Sequence, residues 1–165
     1  MKTSHFLLVT LLLFLIFLQP AYSQSKPNSV YFELIGNGGL YSINYDRLIT
    51  DNVSGRIGFM YLSKLDLIFL TVDNIVIIPV TLNYLIGNGN NKFEIGAGID
   101  YVNSSGGSLF GYKTNVTVTQ IFGTATIGYR YRQKDGGFLF RIGFTPIFGA
   151  NGFQPLAGLS LGFSF

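Results

Sequence analysis

The chain has 165 residues, a net charge of +3 at pH 7 and no cysteine, which excludes disulfide scaffolds and thiolate metal sites. Aromatic residues make up 16% of it and charged residues only 12%, whereas a soluble domain carries about 25% charged residues. The basic excess is too small and too dispersed to predict nucleic-acid binding.

The first segment has the layout of a secretory signal peptide. An apolar run of 13 residues, Phe6–Leu18, follows an early lysine, and Ala21 and Ser23 place small residues at the −3 and −1 positions of a cleavage site. Thirteen residues are short of the about 20 that a membrane-spanning helix needs. We therefore predict a cleaved signal peptide over residues 1–23 and one exported domain over residues 24–165.

The exported domain alternates apolar and polar residues with a period of two, which is typical of β-strands. Between Lys92 and Val102, for example, Phe93 and Ile95 share one face, whereas Glu94 and Asp100 share the other. In chain order, the predicted strands are 29–35, 40–48, 53–61, 76–86, 92–102, 121–132, 137–146 and 154–165.

The connections between these strands alternate between short and long, as in an up-and-down barrel. The short ones are 50–52, 87–91 and 133–136, and the longer ones are 62–74, 103–119 and 148–154. The segment 29–48 has two interpretations: a hairpin that turns at Gly36–Gly39, or one long strand with a glycine bulge. The hairpin is favoured because it gives an even number of strands, eight. Residues 65–72 are also open to two interpretations, since they could extend their strands into a tall hairpin.

The two faces of the strands differ in a way that favours a membrane over a soluble core. One face is almost purely aliphatic and aromatic, and tyrosines lie near the strand ends, as in an aromatic girdle. The other face mixes small polar residues with charges of both signs, which predicts ion pairs in an enclosed lumen. The lumen candidates are Glu33, Asp46, Arg56, Glu94, Asp100, Arg130 and Arg141.

These patterns predict an all-β fold: a closed, antiparallel, up-and-down transmembrane β-barrel of about eight strands. Closure leaves no unpaired strand edge, which lipid does not tolerate. A half-buried sheet with its polar face in water remains the alternative.

Several segments resemble small outer-membrane β-barrel proteins of Bacteroidota, broadly of the OmpA/OmpX type. They are GLYSINYDRLI (39–49), GRIGFMY (55–61), NYLIGNGNNKFEIGAGIDY (83–101), GTATIGYRYRQKDGGFLFRIGFTPIF (123–148) and PLAGLSLGFSF (155–165). The resemblance implies residence in the cell outer membrane of a Gram-negative bacterium, in contact with its lipid. It also implies insertion by the barrel-assembly machinery, for which the C-terminal Phe165 would be the assembly signal.

The chemistry needed for most catalysis is missing from the exported domain. The only histidine is His5, within the predicted signal peptide, which removes histidine-dependent catalysis and histidine metal sites. Glu94 and Asp100 are six residues apart on one strand, about 20 Å, and cannot act as a catalytic pair. We expect no enzyme activity, no cofactor and no metal.

Three functions remain open at this stage. The first is a structural or surface-interaction barrel whose loop 103–119, with Phe110 and Tyr112, contacts an extracellular partner. The second is a narrow channel, although an eight-stranded lumen is just wide enough for side chains to fill. The third is an exported soluble ligand-binding barrel of the lipocalin type.

Overall fold

The computed structural model describes residues 26–67, 70–109, 112–149 and 152–165, which form ten β-strands. None of these residues belongs to a helix long and apolar enough to cross a membrane. The predicted signal peptide, residues 1–23, lies outside the described residues and stays a prediction. The strands are β1 Asn28–Leu34, β2 Tyr41–Leu48, β3 Val53–Leu67, β4 Leu70–Ile86, β5 Asn91–Leu109, β6 Tyr112–Arg132, β7 Gly137–Phe144, β8 Ile147–Gly149, β9 Gly152–Gln154 and β10 Ala157–Ser164.

Eight of the strands close into a barrel. Consecutive strands from β1 to β7 pair antiparallel, β7 pairs with β10, and β10 returns to pair with β1. The last pairing joins the two ends of the domain, for example Val30 opposite Phe163. The predicted fold, a closed antiparallel barrel of about eight strands, is confirmed.

The two short strands β8 and β9 continue β7 and β10 beyond an interruption. β8 pairs with β6 and with β9 in the same register as the strands below them. A proline interrupts each strand, Pro146 on one and Pro155 on the other, because proline has no backbone N–H to give to the ladder. The expectation of one unbroken strand over 137–146 and of a loop over 148–154 was therefore wrong.

The segment 29–48 is a hairpin, as favoured from the sequence. β1 and β2 pair along their whole length, from Asn28 opposite Arg47 to Leu34 opposite Tyr41. The turn between them closes through the backbone amide of Ile35, which donates to the Leu40 oxygen at 2.9 Å. The glycine-rich sequence suits this tight turn because two of its glycines have positive φ angles.

The four strands β3 to β6 are much taller than the rest. They have 15 to 21 residues, whereas β1 and β2 have seven and eight. The predicted loop 103–119 is therefore wrong: β5 runs to Leu109 and β6 starts at Tyr112. Its glycines, serines and asparagines have low strand propensity, but pairing outweighs it: residues of 103–109 pair with β4 and β6, and residues of 112–119 pair with β5. A register shift between Ser105 and Gly107 absorbs the irregularity.

The longer connection predicted over 62–74 is also mostly strand, so the tall-hairpin interpretation of 65–72 holds for the described backbone. The tight turns predicted at 50–52, 87–91 and 133–136 are observed within a residue of those bounds. We call the end of the barrel that carries these three turns the short-turn end, and the opposite end the long-strand end.

Side chains on the barrel strands alternate between a mostly apolar exterior and a mostly polar interior. In β1 the burial pattern alternates at every residue, so that Phe32 is 44% exposed and its neighbour Glu33 only 2%. On β5 Ile95 is 44% exposed, and on β10 Leu161 is 52% exposed. Among the residues whose burial is described, few apolar side chains are buried; they are Tyr31, Leu48, Met60, Leu85 and Leu139.

Inward-facing glycines keep the interior wide enough for its charged side chains. A Cβ atom added to Gly96 would overlap the side-chain oxygen of Asn83 and lie 3.0 Å from the backbone oxygen of Leu82. At Gly128, an added Cβ would lie 2.6 Å from the Cα of Gly143 on the next strand. Any larger residue at these places would push neighbouring strands apart.

Replacing Gly96 with alanine should therefore destabilise the barrel by about 1–3 kcal/mol, the usual range for overpacking. The matched control is Ala97→Val on the outward face of the same strand, where the two added methyl groups lie at an exposed position and should change stability little. Urea unfolding of both variants in detergent micelles checks this, and equal stability of Gly96→Ala and the parent protein would contradict a crowded interior.

Candidate functional site

The barrel interior is the candidate site, because all seven charged residues singled out from the sequence have their side chains there. Each is at most 4% exposed: Glu33, Asp46, Arg56, Glu94, Asp100, Arg130 and Arg141. Six of them come from six different strands, and Asp100 shares β5 with Glu94. The structure brings six of the seven into direct contact and leaves Asp100 apart.

Arg130 lies at the centre of the group nearest the short-turn end. Its guanidinium donates to both carboxylate oxygens of Asp46, at 3.0 and 2.9 Å, and to both of Glu94, at 3.0 and 2.7 Å. Ser54 adds a hydroxyl that donates to Asp46 at 3.1 Å. Such two-pronged contacts are the strongest class of charge-assisted hydrogen bond.

Arg141 is the second arginine that Glu94 holds. Its Nε and Nη2 donate to the two Glu94 oxygens at 2.9 and 2.7 Å, and its Nη1 donates to the Tyr31 hydroxyl at 2.7 Å. Arg130 and Arg141 are direct cross-strand partners on β6 and β7, an arrangement that repels when nothing lies between the charges. Glu94 makes it favourable, since each oxygen accepts from both guanidiniums.

Arg56 extends the contacts towards the long-strand end. It forms an ion pair with Glu33, and its Nε donates to Asn44 Oδ1 at 2.9 Å. Glu33 in turn lies 3.7 Å from Arg141, which joins the two groups. The Tyr31 ring lies between the two arginines, 4.8 Å from the guanidinium carbon of Arg141 and 5.6 Å from that of Arg56.

Together these contacts make one continuous series of alternating charges. We call it the interior ion-pair network, and its members in order of contact are Asp46, Arg130, Glu94, Arg141, Glu33 and Arg56. Three arginines face three carboxylates, so the network is electrically balanced. Balance matters because a charge buried without a partner costs several kcal/mol.

The β1–β2 turn caps the network from within the barrel. Asn37, at the tip of the turn, is fully buried, and its Oδ1 accepts from Arg56 Nη1 at 2.9 Å. Its amide nitrogen donates across the barrel to Thr124 Oγ1 at 2.5 Å and to the Ala125 backbone oxygen at 3.2 Å. This turn therefore bridges β1 and β2 to β6 through the interior.

Almost no space is left around the network. The cavity beside Glu33, Glu94 and Arg141 measures about 10 Å³, which is no more than the about 10–15 Å³ that one water molecule needs. The interior at this level is filled by side chains.

Asp100 has no partner in the network, although it is only 1% exposed. Neither of its carboxylate oxygens makes a hydrogen bond of good geometry with a described residue. The cross-strand neighbours of Asp100 are Pro79 and Phe122, which supply no donor side chain. The shared face predicted from the sequence is observed, but Asp100 does not take part in the ion pairs.

Sequence reasoning missed several residues that complete the site, among them Tyr31, Asn37, Asn44 and Arg132. Tyr31 and Glu33 are two residues apart on β1 and therefore share its inward face, which the alternation in the sequence could have shown. Asn37 carried no such signal, since it belongs to a turn whose path into the interior depends on the barrel being closed. The predicted assembly residue, Phe165, follows β10 at the short-turn end and is 49% exposed.

The carboxylates of the network are used in ion pairs. The carboxylates of Glu33, Asp46 and Glu94 are all engaged by arginines. Among the described residues, no group of three or more histidine, cysteine, aspartate or glutamate side chains is placed to hold a metal ion.

Comparison with known proteins gives a likeness in fold. No protein-family model matches the chain, and no curated protein matches its sequence. The N-terminal β-barrel domain of OprF from Pseudomonas aeruginosa superposes with a TM-score of 0.63 at 17% identity, over 84% of this chain and 98% of that one. The fold is shared with outer-membrane barrels. The outer membrane protein Ail of Yersinia pestis, in a phospholipid bilayer nanodisc, superposes with a TM-score of 0.53 at 12% identity, over 85% of this chain and 99% of that one. At these identities the likeness shows the fold alone, and it gives no support to the Bacteroidota part of the resemblance.

Removing the charge of Glu94 should cost about 3–5 kcal/mol of stability, because two buried arginines lose their shared partner. The change to test is Glu94→Gln, which keeps the shape of the side chain. The matched control is Asp100→Asn on the same strand, which should be neutral or stabilising because Asp100 has no ion pair. Urea midpoints in micelles check both, and a larger loss in Asp100→Asn than in Glu94→Gln would contradict the assignment of the network.

Proposed function

We propose that this protein is an integral outer-membrane β-barrel with a polar, side-chain-filled lumen and a structural or surface-interaction role, without catalytic activity. One observation carries the proposal: the exterior of every barrel strand exposes large apolar side chains, whereas the arginines and carboxylates of the ion-pair network are buried inside. In water this arrangement would expose most of the apolar surface. In lipid it places each kind of side chain in a favourable environment.

The height of the apolar exterior supports the membrane location. On β5 the outward residues between Phe93 and Tyr101 span eight residues, about 26 Å along the strand and about 20 Å along the axis of a tilted strand. This is close to the about 25 Å apolar band of known outer-membrane barrels, which aromatic residues flank on both sides. Tyr84 and Tyr129 lie towards the short-turn end and Tyr61 towards the other, as two girdles require.

The soluble, lipocalin-like alternative requires the opposite arrangement. A ligand-binding barrel in water has an apolar cavity and a polar exterior. Here the interior at the level of Glu94 is charged and filled, and the exterior residues Ile57, Leu82 and Ile121 are more than half exposed.

The channel alternative requires an open path through the barrel. The ion-pair network crosses the interior at the level of Arg130 and Arg141. Asn37 covers the network on the side of the long-strand end. We infer that the barrel does not conduct in its resting state.

The surface role rests on the tall strands. Above Tyr101, β5 continues for eight more residues to Leu109, about 20 Å along the barrel axis. Together with β3, β4 and β6, it forms a projecting sheet beyond the apolar band. We propose this region, which includes 103–119, as the surface that meets an extracellular partner.

Insertion by the barrel-assembly machinery with Phe165 as its signal, and export through cleavage after Ser23, are parts of the same proposal.

The proposal is tested by fractionating cells that express the chain and by running the membrane fraction on a gel with and without boiling. We expect recovery in the outer membrane and a shift in mobility on boiling, because closed barrels resist detergent until heated. Recovery in the periplasmic fraction, without a shift, would contradict it.

An arginine in place of Ile95 should lower the stability of the inserted barrel by about 1–4 kcal/mol, since the charge would face the acyl chains. The matched control is Thr117→Arg, an exposed position on β6 beyond the apolar band, which should insert normally. The fraction of heat-modifiable protein in the outer membrane measures both effects. Equal insertion of the two variants would mean that the exterior of β5 does not contact lipid.

Planar-bilayer recording tests the filled lumen. Purified protein should give no steady single-channel steps, because the network and the Asn37 turn occupy the interior. Reproducible steps of one conductance, in protein that also shows the heat-dependent gel shift, would favour the channel alternative.

A further inference from the structure

A cavity of about 500 Å³ lies at the short-turn end of the barrel, between the ion-pair network and the turns. The turns that contribute to its rim are 49–52, 87–90 and 133–136, and Leu48 and Leu85 form part of its wall. We call this cavity the vestibule. It is some fifty times larger than the space beside Glu94, so it can admit a small molecule.

The lining of the vestibule is cationic. Arg130 lines its inner end but is already paired with Asp46 and Glu94. The remaining ionisable residues carry one net positive charge. They are Lys92, Arg132, Lys134, Asp51 and Asp135.

Arg132 is the residue that most clearly lacks a partner. It is only 8% exposed, and its Nε donates to the Ser29 hydroxyl at 3.3 Å. Its Nη2 has no hydrogen-bond partner there. A guanidinium has five N–H donors, and leaving buried donors unpaired is costly. An anion in the vestibule, which Arg132 lines, would supply acceptors for them.

Lys92 and Lys134 approach the same space from the rim. The Lys92 ammonium donates to the Asp51 backbone oxygen at 2.8 Å and has two further N–H donors. Lys134, Arg132 and Arg130 act on Lys92 as like charges and Asp51 acts on it as an opposite charge, so the three other cations lie close enough to Lys92 to add to its attraction for an anion.

We propose that the vestibule binds a phosphate group, with Arg132 on the inner wall and Lys92 and Lys134 at the rim. A phosphate offers several acceptor oxygens in different directions, which suits three cations that converge from different strands and turns. The same chemistry is found in a free phosphate compound and in a phospholipid headgroup. The proposal depends on the closed fold and not on the membrane location of the barrel.

The test is a titration of the full-length barrel, purified from membranes in a phosphate-free maltoside detergent, with inorganic phosphate at constant ionic strength. Calorimetry should show saturable binding, and the Arg132 Nε–H resonance should shift with the same midpoint. A wild-type protein without saturable binding would overturn the proposal.

Three variants decide whether the vestibule is the site. Arg132→Gln and Lys92→Gln should each weaken binding at least tenfold. Arg47→Gln should leave it unchanged, because Arg47 carries the same charge near the same end of the barrel without lining the cavity. An equal loss in Arg47→Gln would show nonspecific attraction and overturn the proposal. The heat-dependent gel shift confirms folding, and if Arg132→Gln fails to fold, Lys92→Gln alone decides.

A second titration identifies the source of the phosphate group. Mixed micelles that contain short-chain phosphatidic acid should compete with inorganic phosphate if the natural ligand is a lipid headgroup. No competition, with phosphate binding retained, would assign the vestibule to a free phosphate compound. Both outcomes presuppose the site, which the variants establish separately.

Discussion

The pairing of buried arginines with buried carboxylates is the constraint on which the rest of the barrel depends. Six different strands each contribute one member of the interior ion-pair network. The members are Glu33, Asp46, Arg56, Glu94, Arg130 and Arg141. Because an unpaired charge in a dry interior costs several kcal/mol, only strand registers that bring these partners together are stable. Closure of the sheet and formation of the network therefore stabilise each other.

This arrangement determines where the protein can act. Side chains fill the interior at the level of Glu94 and Arg141, and an exterior of aliphatic and aromatic side chains suits lipid. Contacts with other molecules then fall to the two ends. At the long-strand end β3 to β6 rise beyond the apolar band, and at the short-turn end the vestibule presents cations that the network does not engage.

The period of two in the sequence predicted the central part of the eight barrel strands and their inward and outward faces, and the alternating connection lengths added the up-and-down order. It could not predict the register, which places Arg130 opposite Arg141 with Glu94 between them, because register depends on contacts between residues far apart in the chain. The same limit applies to Asn37, whose turn enters the interior only once the barrel closes. In 103–119, low strand propensity suggested a loop, but the pairing of β5 with β4 and β6 prevailed.

The most direct test of the account is to locate lipid and water relative to the two faces of the barrel. Nuclear magnetic resonance of the protein in bilayers, with a nitroxide placed deep on the lipid acyl chain, reports which methyl groups lie next to lipid. The account predicts strong broadening for Ile95 and Leu161, which face outward, and little for Thr81 and Thr126, which are buried inside. Broadening of the two threonines with sparing of Ile95 and Leu161, or broadening of Ile95 by a water-soluble agent, would contradict it.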